Sequence, residues 1–389
     1  MREVAVVGVY MTKFGKYLDR SLRDLGKEAV LGAVRDAGMS LRDIKIAYVA
    51  NGMAGLITGQ EGVRGQVILK EVGLEGLPIL NVENACGSGT TAVFGAWLSV
   101  ASGFCDVALA LGVEKLYCGN TNKSMAALAA DSDVEMEGRM GFLFPARYAM
   151  SIARHMDKYG TTREQIAKVS VKNHKNGSLN PYAQHQKVVS VAEVLNSRVI
   201  CDPVTLLMCC PIGDGASAVI LADKKTARRL TSKPITIAAL ALQSGRTPDI
   251  RAPEGPNIYE RTVHQAYEQA AVGPQDLEVI ELHAAASPAE LLRYEDFGLC
   301  RKGEAGRMID EGKTDIGGKI PCNPSGGLEA KGHPVGATGG AQITEVVWQM
   351  RGQAGKRQID PIPKLGMVHN GGGLVGGEPA IMTATILKR

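Results

Sequence analysis

The chain has 389 residues, enough to bury a large core and fill two or three domains. Its 44 basic and 40 acidic residues leave a formal charge of +4, no polyelectrolyte signature, so a nucleic-acid partner is excluded, although a local patch can still meet an anionic ligand. The 47 glycines and few aromatics suit a tightly packed α/β protein, and no apolar run approaches membrane-spanning length. The eight cysteines lack CxxC spacing and no signal-peptide pattern is visible, which points to no metal site, no disulfide framework and reduced thiols in a cytoplasmic setting.

Val4 to Val9 reads as a first strand. A helix from about Ser21 follows, with Leu22, Leu25, Ala29, Val30 and Ala33 at helical spacing, stopped by Gly38 before a strand at Ile44 to Val49. Leu77 to Val82 is another strand, and Gly87-Ser88-Gly89 opens a small-residue helix. The same order returns later: a strand at Ile235 to Leu242, a helix at Ile258 to Ala271 and a strand over 276–282. Glycine-led helices at 87–97 and 339–350, strands at 107–111 and 364–368, and closing strands at 216–222 and 379–386 complete the match. These repeats divide the chain into halves at 1–233 and 234–389, and an ordered series of matched elements implies a pseudo-two-fold axis. Between about 114 and 204 the pattern departs from the repeat and reads as an inserted, loop-rich lid. Its His155, Lys172, His174, Lys175 and Lys187 either meet anionic groups of a long substrate or form a solvated polar surface.

Cys86, between the strand and the glycine-opened helix, is the candidate nucleophile, because the positive end of a helix dipole favours thiolate. Taken alone, the stretch also reads as a buried structural cysteine. In the second half, His283 lies near a strand end, His333 lies in a glycine- and proline-rich loop before a helix, and His369 begins the glycine run His369-Asn370-Gly371-Gly372-Gly373. A histidine fixed in this way can take a proton from a thiol or donate a hydrogen bond to a developing oxyanion, and bare glycine backbone can approach a ligand closely. Singly, each histidine also fits a structural role; their recurrence at equivalent strand ends of a duplicated fold favours chemistry.

The stretches NACGSGTTA, NPSGGLEAKGHPVGATG and HNGGGLVGG resemble the nucleophile, base and glycine loops of the thiolases. The insert HMDKYGTTREQIAKVSVKNHKNGSLNPYAQ and the following CCPIGDGASAVIL are similar in particular to sterol-carrier-protein-type thiolases. The resemblance covers nearly the whole chain. It implies duplicated βαβαβ halves in a five-layered α-β-α-β-α core, a loop domain that binds coenzyme A, and a homodimer or homotetramer. It implies acyl transfer between a 3-oxoacyl-CoA and CoA through acyl-Cys86, with CoA as co-substrate and no tightly bound cofactor. His333 would deprotonate Cys86 and join His283 in one oxyanion hole, and the N–H groups of Cys86 and Gly371 would form a second. A small zinc-containing OB-fold protein is the expected partner.

One departure bears on mechanism. Thiolases usually carry a second catalytic cysteine, in the last glycine loop or, in the sterol-carrier-protein type, in an HDCF motif, whereas this chain has His369 and His283-Ala284-Ala285-Ala286 at those places. His369 is then a candidate proton carrier, beside His333 and a water held by His283. The triple alanine leaves room for a branched or aromatic substrate such as benzoylsuccinyl-CoA. A condensing synthase, an aldolase-like lyase and a non-catalytic acyl-CoA-binding subunit are the alternatives.

Overall fold

The computed structural model describes residues 1–141, 143–230, 233–247 and 255–389. Its strands are β1 (Val4–Met11), β2 (Ile46–Ala50), β3 (Ile79–Val82), β4 (Val107–Glu114), β5 (Val199–Cys201), β6 (Val204–Thr205), β7 (Gly215–Asp223), β8 (Ile235–Ser244), β9 (Val279–Leu282), β10 (Leu365–Gly372) and β11 (Ile381–Lys388). Nine of them form one sheet in the order β3-β2-β4-β7-β1-β8-β11-β10-β9, and β5 and β6 make a separate pair.

The order repeats with its directions. In the first half β2 runs parallel to β3 and β4, β4 antiparallel to β7, and β7 antiparallel to β1. In the second, β9 is parallel to β10, β10 antiparallel to β11, and β11 antiparallel to β8. A parallel bridge between Ile280 and Cys322 stands where β3 stands in the first half. The halves meet through two residue pairs only, Ala5–Thr236 and Val6–Ile235, so the sheet can fold over at that seam. The expected joint at 233–234 falls between β7 and β8; residues 231–232 just before it lie outside the described residues.

Three apolar clusters show the layers. The helix Leu22–Ala37, capped by a Ser21–Asp24 box and ended by Gly38 at φ 65°, buries Leu25, Ala29 and Val30 against one face of the first half. The helices Ile258–Ala270 and Ser287–Asp296 cover the outer face of the second half. Between the two halves lie the helices Ser88–Ala101 and Val335–Arg351, the second buried along its whole length. That is the expected five-layered core. β4, with helices on both faces, accordingly reads as an unbroken buried run, VALALGVE. The two central helices touch backbone to backbone: a Cβ at Gly339 would fall 2.6 Å from the Thr90 nitrogen. Among the described residues no helix is long and apolar enough to cross a membrane.

The insert is not loop-rich. It holds the helices Thr121–Ala129, Phe144–Tyr159 and Arg163–Ser178. Gly160, left-handed at φ 75°, ends one 16-residue helix, and Thr162 with Gln165 forms the capping box that starts the next. The Gly160-Thr161-Thr162 turn is therefore punctuation between helices.

Candidate active site

Cys86 sits in a 3-10 turn, Ala85–Gly87, just before the central helix. The turn is strained and clamped. Ala85 adopts φ 48°, unusual for a residue with a Cβ. Its N–H donates to Glu83 Oε1 at 2.6 Å, while Ser88 Oγ accepts from the Asn84 N–H at 2.8 Å and donates to the Ala85 carbonyl at 2.6 Å. The glycine run of β10 closes the other side. A Cβ on Gly372 would lie 2.6 Å from both the nitrogen and the Cβ of Cys86, so only glycine admits the thiol-bearing turn here.

His333 faces that thiol, its Nε2 3.2 Å from Cys86 Sγ. Its Nδ1 lies 2.7 Å from Thr338 Oγ1, and the Thr338 hydroxyl donates to the Pro334 carbonyl at 2.9 Å. Since that hydroxyl proton is committed, the oxygen accepts from Nδ1–H, which leaves the Nε2 lone pair for the thiol. The His283 ring lies edge-on to His333 at 5.0 Å, and its buried Nε2 has no partner among the described residues. The ligand-capable atoms of Cys86, His283 and His333 all fall within 4.8 Å of one another. Two imidazoles and one thiol so arranged could also hold a soft cation, but the hydrogen bond between His333 and Cys86 accounts for two of the three groups without one.

Burial governs the protonation states. It pushes the Cys86 thiol well above its usual value, helped by the nearby Asp131, and it holds His333 well below its own. The resting pair is thus neutral thiol and neutral imidazole, and burial outweighs the helix dipole that was expected to favour thiolate. His283 is depressed to about 3, again first by burial.

The loop carrying His333 is held from below. Asn323, at φ 53°, accepts from the Leu282 N–H at 2.9 Å and donates to Glu290 at 2.8 Å, and Ser325 gives both its N–H and its hydroxyl to Glu281. The insert supplies the rest. Lys172 donates to the Cys322 carbonyl and pairs with Glu290, both at 2.6 Å, and Asn176 and Asn180 donate to the carbonyls of Asn323 and Ser325 at 3.1 and 2.8 Å. Lys172, expected to meet either substrate or solvent, does neither: it is a buried strut under the loop that carries His333. His155 is buried between Thr161 and Glu295, at 2.8 and 3.0 Å, His174 is buried beside the Lys187 carbonyl, and neither Lys175 nor Lys187 lines the cavity. Lys172, His174 and His155 face inward because the two helices that carry them pack on the second half, whereas Lys175 and Lys187 stay exposed.

His369 is corrected too. It is fully buried on β10, its ring between Phe297 at 4.7 Å and Tyr259 at 5.8 Å, and it does not line the cavity. Its ring packs among Phe297 and Tyr259, while Gly371, Gly372 and Gly373 further along the chain line the floor beside Cys86. Sequence reasoning missed Glu114. Its carboxylate accepts from the N–H groups of Gly52, Met53 and Gly336 and from Asn51, fastening the central helix that carries Thr338, and burial raises it to about 7. An acid ending an otherwise apolar strand was the available signal.

The cavity over Cys86 measures about 150 Å³. His283, His333 and the glycines form its floor, Leu116, Leu128, Leu143, Phe144 and Ile212 most of its walls, and Arg147 is the one Lys or Arg side chain among the described residues that lines it.

Residues 4–225 match the family described as "Thiolase, N-terminal domain", and residues 255–385 match "Thiolase C-terminal domain-like". The chain belongs to the thiolase family. This thiolase is 46% identical to an "Acetyl-CoA acetyltransferase" of Methanothermobacter thermautotrophicus, over 98% of the chain and 99% of the relative. It is 40% identical to the "Benzoylsuccinyl-CoA thiolase subunit BbsB" of Thauera aromatica, over 96% and 95% of the two chains. A solved structure titled "Ltp2-ChsH2(DUF35) aldolase" superposes with a TM-score of 0.79 at 25% identity, covering 99% of this chain and 97% of that one. The protein is an enzyme, an acyltransferase of the thiolase type.

Proposed function

We propose that the chain moves an acyl group between a 3-oxoacyl-CoA and the thiol of CoA, in either direction, through an acyl-Cys86 intermediate. The observation that carries this reading is the fixed Cys86–His333–Thr338 chain, with the Nε2 lone pair 3.2 Å from Sγ. Because both groups rest neutral, substrate binding triggers proton transfer: His333 takes the thiol proton as sulfur attacks the keto carbon. Neutral His283, its buried Nε2 without a partner among the described residues and its ring 5.0 Å from that of His333, supplies a donor to the thioester oxygen, and the N–H groups of Cys86 and Gly371 supply the second oxyanion hole.

The apolar walls support a bulky acyl group, and Arg147 offers a counter-charge to an anionic part of the substrate. CoA is the co-substrate, with no tightly bound cofactor. The exposed edge strand β3, with Leu80 42% accessible, supports pairing of two copies into a homodimer. The word "subunit" in one relative's name and the two-component title of the aldolase support a partner protein of the zinc-containing OB-fold kind. Eight unpaired cysteines support a reducing, cytoplasmic setting.

The absence of the HDCF cysteine together with the likeness to the aldolase favours a second reading, lyase chemistry on the same floor. One experiment separates them. Intact mass is measured after brief exposure to acetyl-, succinyl- and benzoyl-CoA, beside Cys86→Ser, and CoA-dependent cleavage is assayed with 3-oxoacyl-CoA. An acyl adduct lost in the variant, with turnover falling roughly 10⁴-fold or more, is the expected outcome. Cleavage that proceeds without CoA and without an adduct would establish the lyase instead.

A further inference from the structure

Carbon–carbon cleavage leaves an electron pair on the α-carbon of the departing thioester, and that carbon needs a proton. His369 is turned away from the cavity. His333 already holds the Cys86 proton. The floor therefore lacks an acid unless the wall provides one.

The wall does. The segment after β6 runs antiparallel to the triple alanine: Cys209 bridges Ala286, and the Cys210 N–H donates to the Ala285 carbonyl at 2.9 Å. Ala285 is the position two residues after His283 at which the HDCF motif would place its cysteine. Cys210 thus lies beside the vacancy, on a different segment of the chain. It lines the cavity with Cys86, His283 and Ala285, and a charge on it is felt at Cys86. Cys209 is otherwise engaged, its thiol donating to the Thr205 carbonyl at 3.6 Å, whereas the Cys210 thiol has no partner among the described residues. Ala285 and Ala286 line the cavity beside it.

We propose that Cys210 is the second catalytic cysteine, the acid and base at the substrate α-carbon. The proposal rests on the acyl-Cys86 reading above. In the cleavage direction the Cys86 proton passes to His333 Nε2, sulfur bonds to the keto carbon, and the carbon–carbon bond breaks with its electron pair on the α-carbon. The Cys210 S–H bond then breaks to protonate that carbon, leaving Cys210 thiolate and the first thioester product. Cys210 thiolate regains its proton from solvent, and CoA, attacking as its thiolate, takes the acyl group from acyl-Cys86. Cys86 leaves as thiolate and recovers its proton from His333. Burial keeps Cys210 protonated at rest, so the proton is in place when the carbanion forms.

The test uses two half-reactions that differ in this one step. Acylation of Cys86 by an acyl-CoA expels CoA thiolate, which leaves without an acid. Exchange of the α-hydrogens of acyl-CoA in deuterium oxide needs the α-carbon base. For Cys210→Ala, the expected result is Cys86 labelling at the wild-type level, with exchange and thiolysis kcat both lower by about 10²-fold or more and KM little changed. Cys210→Ser keeps the size and guards against a packing artefact; it should acylate normally and remain slow in exchange. Wild-type exchange in both variants would overturn the proposal. So would a Tyr148→Phe variant that abolishes exchange while Cys210→Ala retains it, since Tyr148 shares the cavity. A wild-type protein that no donor labels would instead sink the acyl-Cys86 reading, and this proposal with it.

Discussion

The floor and the wall of one cavity are built on opposite principles. The floor, comprising the Cys86 turn, the 323–334 loop and the first turn of the central helix, is held by buried hydrogen bonds to Glu281, Glu290 and Glu114 and by backbone in the left-handed region. The wall around Leu128, Leu143, Phe144 and Ile212 is apolar, and the insert residues Val134, Met136 and Met140 nearby in the chain are 60–73% exposed. A rigid polar floor fixes where the Cys86 proton and the oxyanion charge go; the apolar part of the wall, apart from Cys210, decides what fits. The difference teaches that chemistry and specificity in this protein can be changed separately.

Breaking the floor from beneath gives the largest expected effect. Lys172→Met removes the cation from a buried pair and strands Glu290, which should cost about 3–5 kcal/mol in urea-denaturation stability although no atom of Lys172 lines the cavity. Stability unchanged within experimental error would mean that the insert does not prop the loop. Thr338→Val should act next: without the acceptor for Nδ1–H, His333 can take the wrong tautomer, and kcat should fall roughly 10–100-fold with KM and stability little altered. Equal losses in kcat and in Cys86 labelling would place the defect at proton transfer from the thiol.

Acid sharpens the same contrast. His369 is fully buried and its folded-state pKa is depressed by burial first and Arg293 second. A depressed basic group binds fewer protons folded than unfolded, so its stability contribution is complete above pH 6.5 and drains away as pH falls below that value. Between pH 7.5 and 5.5 this single site should remove about 1.4 kcal/mol. His369→Leu should therefore show a shallower loss over that interval; an identical slope would mean the histidine is charged in the fold. The smallest effect belongs to the wall. Leu143→Ala, at a residue 49% exposed, should leave stability within about 0.5 kcal/mol while lowering kcat/KM for a benzoyl donor by up to about tenfold and sparing acetyl-CoA.

Much of the floor was readable in advance because its residues obey local rules. Cys86 and His333 each precede a glycine-led helix, and the two helices are equivalent in a repeat visible along the chain. The strands and their order of recurrence followed from apolar runs bounded by glycine. The errors share one cause. The sequence presents His155, Lys172 and His369 as polar residues with free side chains, yet each is buried beside a partner or a ring far away in sequence. Cys210 shows the converse, for nothing in the stretch after β6 announces a cavity.

The sequence by itself determined the duplicated α/β plan and marked Cys86 and His333 as the candidate nucleophile and base, because periodicity, capping and glycine positions are properties of neighbours in the chain. Only the tertiary structure decided which face of β10 turns to the thiol, that the insert supports the base loop, and that Cys210 meets Ala285, 75 positions further along the chain. Strand pairing across that distance depends on the packing of two halves against each other, and no local pattern records it.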